Sequence, residues 1–149
     1  MIDPYAARLV NRDFYAAKVD ISTTVAVVLD GTLENRSLQL ITPISRAFPK
    51  GTILELIGTD EAGAAPGAQV NAIAYLGFVE MQNGGILLTG DEVCWNGTVI
   101  GTLAGYDDTH MPNHQNTIVK MAKRISGKDL GMKLRDEIII KGITLSTSF

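Results

Sequence analysis

The stretch Val70-Asn71-Ala72-Ile73-Ala74-Tyr75-Leu76-Gly77-Phe78-Val79-Glu80-Met81-Gln82 decides the fold. It is largely apolar, and it reads as one long strand bent at Gly77. Asn71, Ile73, Tyr75, Gly77 and Val79 fall on one face and Glu80 on the other. Asn83-Gly84-Gly85 follows. Positive φ is cheap for Asn and Gly, so this predicts a hairpin turn with residues 85–89 as the return strand.

The same grammar repeats on both sides. Toward the C-terminus, Gly90-Asp91 is a turn, residues 92–95 a short strand, Asn96-Gly97 a second hairpin signal and residues 98–106 the next strand. Toward the N-terminus, residues 19–29 and 51–59 read as strands. Asp30-Gly31 is a turn, and residues 37–43 form a strand ended by Pro43. Residues 45–50 read as a basic connection containing Arg46, and residues 60–69 as a loop. Residues 137–141 and 143–149 complete the strands. Two segments depart from the pattern. In residues 3–17, Leu9, Val10, Phe14 and Ala17 recur at helical spacing, with Asp3 as cap and Pro4 at the first helical position. In residues 117–125, Ile118, Met121, Ala122 and Ile125 fit a helical face with Asn116 as cap. Thr117, Val119 and Met121 would also suit a strand, and the helix is the preferred reading. Short strands separated by turns predict a mainly β chain: a small antiparallel β-barrel or two-sheet roll with a short N-terminal helix, one domain over residues 1–149.

Composition agrees. Of 149 residues, 46% are hydrophobic and 19% charged, which suits a packed core and not a disordered chain. No apolar run approaches the roughly 20 residues of a membrane span, and no basic region precedes an apolar stretch at the N-terminus. Cys94 is the single cysteine, so no internal disulfide can form. A cytoplasmic protein is expected.

Charge is distributed unevenly. From Gly51 to Val119 there is no Lys or Arg, while eight acids lie there: Glu55, Asp60, Glu61, Glu80, Asp91, Glu92, Asp107 and Asp108. Such a segment does not make a nucleic-acid surface. It suits a cation, or the basic ends of a neighbouring copy, and with edge strands to cover a homo-oligomer is expected. Neither Gly-x-Gly-x-x-Gly nor Gly-x-x-x-x-Gly-Lys occurs, so no phosphate cradle is indicated.

Chemistry concentrates in Gly105-Tyr106-Asp107-Asp108-Thr109-His110-Met111-Pro112-Asn113-His114-Gln115-Asn116, which holds both histidines. Pro112 argues against a regular helix carrying His110 and His114 on one face. A loop could still gather the two with Asp107 or Asp108 as a divalent metal set. The reading favoured by residue type is acid–base catalysis without a resident cofactor. Asp108 with His110, or Asp107 with His114, would move protons on a small polar organic molecule, as in isomerases, dehydratases, lyases or cyclases. Tyr106, Asn113, Asn116, Tyr75 and Arg46 are candidates for binding it. An anionic substrate would draw on Arg46, Arg36 or the C-terminal Lys120, Lys123 and Arg124. The alternatives are a non-catalytic ligand- or metal-binding barrel and an assembly module. In the plainest reading, the Asp and Asn side chains merely cap loop backbone.

Overall fold

The computed structural model describes residues 16–142. In chain order the elements are β1 (Ile21–Val28), β2 (Thr32–Leu33), β3 (Leu38–Gln39), β4 (Ser45–Phe48), β5 (Ile53–Thr59), β6 (Gln69–Val70), β7 (Ile73–Met81), β8 (Gly85–Leu88), β9 (Glu92–Trp95), β10 (Thr98–Asp107), β11 (Gln115–Lys120), α1 (Gly127–Leu130) and β12 (Glu137–Lys141). Seven strands close on themselves in the order β1-β12-β9-β10-β11-β5-β7, with β7 pairing back onto β1. Every neighbouring pair in this ring is antiparallel except β5–β11, which is parallel. A ring of this size leaves an interior that side chains can fill.

The interior holds Leu54, Leu56, Val79, Leu103, Tyr106, Val119 and Ile138, all buried in one cluster. A second cluster forms where the segments around β3 and β6 lie over the outside of the wall. There Leu38, Leu40, Ala64 and Val70 pack on Ile57, Ala104 and Ile118. The wall made by β5, β10 and β11 is therefore apolar on both faces. This is why residues 117–125 do not alternate cleanly, and it corrects the expected helix. Ile118 and Val119, adjacent and both buried, face opposite sides of a strand.

Other boundaries shift for equally local reasons. Asn96-Gly97 makes the expected two-residue hairpin, with φ of 46° and 87° and Trp95 paired to Thr98. Asn83-Gly84 does not close a hairpin between β7 and β8. Instead β8 pairs with β4, so residues 45–48 of the expected connection are a strand. The Asn83 side chain binds the start of β1. Its Oδ1 accepts from Ser22 N at 2.8 Å and its Nδ2 donates to Asp20 O at 3.0 Å, which ties the turn to β1. Of residues 37–43, only β3 is paired strand. Most of the expected N-terminal helix and all of the expected last strand lie outside the described residues. Ala16 and Ala17, the end of that helix, are not helical, and α1 is the one helix among the described residues. No helix there is long and apolar enough to cross a membrane.

Candidate functional site

The strand registers draw one line across four strands. Asp107 of β10 lies opposite Asn116 of β11, Asn116 opposite Glu55 of β5, and Glu55 opposite Phe78 of β7. Strand alternation puts this line on the outer face, the face of Ile57 and Ile118 two residues further along. The loop between β10 and β11 folds back over the line. It turns through Met111 N to Asp108 O and Asn113 N to His110 O, with Met111-Pro112 cis.

At its end, His114 stands edge-on to Phe78 with ring centroids 5.0 Å apart. Its Nε2 is 2.9 Å from Glu55 Oε1, and its Nδ1 is 2.7 Å from Asn113 Oδ1. His110 stacks on His114 at 4.9 Å. Donor atoms of Glu55, His110 and His114 all lie within 4.8 Å of one another, a cluster able to hold a metal ion. Glu55 is buried, His114 half-buried and His110 exposed. Beside His114 lies a cleft of about 310 Å³, lined by Phe48, Thr52, Ile53, Met111 and Asn113 among others.

The histidines and Asn113 thus come together as the sequence suggests, but the carboxylate beside His114 is Glu55, not Asp107. Asp107 serves the backbone. Its Oδ1 accepts from Thr109 N at 2.8 Å and Asn116 Nδ2 at 3.2 Å, and its Oδ2 accepts from Gln39 N at 2.9 Å. Asp108 accepts from Arg46 Nη1 at 3.1 Å and Gln115 Nε2 at 2.9 Å, so it is not His110's partner either. Arg46 also lies over the Phe48 ring, 5.4 Å from its centroid, at the cleft wall. Tyr106 is fully buried in the barrel interior. Tyr75 pairs with Ile57 and packs on the outer cluster. Asn116 lies in the line, and its Oδ1 is buried with no hydrogen-bond partner among the described residues.

Sequence reasoning passed over Glu55 and Phe78. Glu55 had a signal of its own, because it is the one charged residue in the apolar run of residues 51–59.

Burial alone would raise the Asp107 carboxyl. The hydrogen bonds from Thr109, Gln39 and Asn116 outweigh it and hold the group below its ordinary value. A carboxyl with a depressed folded pKa adds stability above its unfolded value of about 3.9, and that stability is lost as pH falls through the folded value. Wild type should therefore be more stable than Asp107→Asn near neutrality, with the gap narrowing from about pH 4 downward. Urea midpoints across that range measure it, and a gap independent of pH would contradict the assignment.

A family model described as a family of unknown function (DUF6917) matches residues 15–141. No curated protein matches, and no solved structure matches.

Proposed function

The chain belongs to that DUF6917 family, and from its site we propose that Glu55, His110 and His114 hold a divalent metal ion that acts on a small polar organic molecule in the adjoining cleft. The observation that carries this reading is the two-sided contact of His114. Its Nδ1 faces Asn113 Oδ1 at 2.7 Å and its Nε2 faces Glu55 Oε1 at 2.9 Å. A neutral imidazole has one N–H. If Nδ1 donates to Asn113, the Nε2 lone pair meets a carboxylate oxygen, and only a cation or an added proton makes that contact favourable. An outer oxygen that fixes the tautomer and leaves Nε2 free is the usual support for a metal-ligating histidine.

Two imidazoles and a carboxylate suit Zn, Fe or Mn. Three protein ligands leave positions open for water or substrate, as catalytic sites require. A metal there would polarise a carbonyl or hydroxyl of the substrate, chemistry suited to lyases, isomerases, dehydratases or cyclases. Asn116 Oδ1, a buried acceptor without a donor among the described residues, lies in the same line. Asp107, fully engaged as an acceptor, is left to hold the loop.

The same 2.9 Å contact favours a second reading, in which Glu55 and His114 form a metal-free proton-transfer pair. Metal analysis separates the two. The purified full chain, exposed to Zn²⁺, Co²⁺, Mn²⁺ or Fe²⁺ and then gel-filtered, is expected to retain about one equivalent of at least one of them. If it retains none at micromolar concentrations, the metal reading fails and the proton-transfer pair stands.

A further inference from the structure

We propose that the ligand of this site is a small oxyanion, a carboxylate or phosphate group held between the metal centre and Arg36, with the rest of the molecule in the cleft. The inference rests on the metal reading. The central segment, residues 51–119, supplies no cation of its own, yet the fold brings two arginines from outside it to this one edge. Arg46, on β4, sits over the Phe48 ring that lines the cleft. Arg36, just before β3, reaches His110, its Nη2 3.5 Å from Nε2.

Arg46 is already engaged by Asp108. Arg36 is half-buried, and among the described residues no carboxylate lies within ion-pair distance of it. Among the described residues its side chain's one hydrogen-bonding contact is the long one to the candidate ligand His110.

A guanidinium held against a metal-bound imidazole faces the positive charge of the ion, and the two charges disfavour each other. An oxyanion bound to the metal removes the conflict. One oxygen ligates the ion while another accepts from the guanidinium, whose planar fork matches carboxylate and phosphate. The cleft is shared with the centre through His114, and at about 310 Å³ it has room for a compact molecule. Phe48, Ile53 and Met111 give it apolar walls for a short carbon skeleton, and Asn113 and Thr52 give it polar ones.

The test uses the full chain loaded with Co²⁺, whose visible spectrum reports the ligand sphere. Malonate and inorganic phosphate are titrated separately into wild type, Arg36→Gln and Arg36→Lys. Wild type is expected to change spectrum saturably with one anion or both. Arg36→Gln should weaken that binding about 10- to 100-fold, the loss of a charge-assisted hydrogen bond. Arg36→Lys should fall between them. Co²⁺ affinity without anion should not decrease in either variant, which shows that the fold and centre are intact. A response to malonate alone identifies an organic acid, and a response to phosphate alone a phosphorylated compound. If the Co²⁺ spectrum is normal but neither anion alters it, or if Arg36→Gln binds the anion as wild type does, the oxyanion proposal is overturned while the metal reading survives. Absence of any Co²⁺ spectrum overturns both.

Discussion

His114→Ala is expected to lower Zn²⁺ or Co²⁺ affinity by well over about 100-fold while leaving the barrel folded. Changing a group that merely orients a ligand costs roughly 10–100-fold, so removing a ligand outright costs more. Asn113→Ala supplies the internal calibration. It deletes the carboxamide whose oxygen lies 2.7 Å from His114 Nδ1 and should fall within that 10–100-fold band. Glu55→Gln keeps the buried shape beside His114 and removes the charge, and it should behave like His114→Ala. Heat provides an independent measurement. A ligand at about 100 times its Kd adds about 2.7 kcal/mol, which in a chain of this length raises the melting midpoint by roughly 5–10 °C. That rise should disappear in His114→Ala and Glu55→Gln, with the metal-free midpoint of His114→Ala close to wild type. Metal binding that survives all three substitutions would show that the ion sits elsewhere.

The second large effect concerns barrel closure. Gly77 of β7 lies opposite Val28 of β1 at the seam where the ring closes. A Cβ added there would run into the Val27 carbonyl oxygen. That oxygen is backbone on the partner strand, so relief means parting β1 from β7. Overpacking typically costs about 1–3 kcal/mol, and Gly77→Ala should reach or exceed the top of that range. Gly31→Ala is the control. Its φ of 96° is unfavourable, but nothing lies within 4 Å of the new methyl. Its cost should be only the backbone strain of about 1–2 kcal/mol. Denaturant midpoints of the two variants check the order, and equal losses would mean that the seam is not closed as described.

The sequence made local turns legible wherever the chain was free to follow local preference. Asn96-Gly97 closes its hairpin, with Trp95 paired to Thr98, even though Asn96 also bonds to Glu137 of β12. Asn83-Gly84 carries the same chemistry and does not, and the strand after it pairs with β4, some forty residues earlier in the chain. Residues 117–120 resemble a helix because both faces of β11 are covered, and burial on two sides erases the alternation that marks a strand.

The site follows the same rule. His110, His114 and Asn113 are neighbours in sequence and were found together. The carboxylate that joins them arrives through the β5–β11 register, which no local pattern encodes. Residues 51–119 hold no Lys or Arg that could pair with Asp107 or Asp108. The fold supplies Gln39, Asn116, Arg46 and Gln115.

The lone parallel pair also bears on the order in which the protein assembles. Antiparallel neighbours such as β9 and β10 can zip from a two-residue turn, whereas β5 and β11 join Leu54 to Gln115 across a long loop whose closure entropy must be met first. Glu55 and His114 therefore meet only once that loop has closed. A metal bound by both would grip only states in which β5 and β11 are paired, so it should slow unfolding more than it speeds refolding.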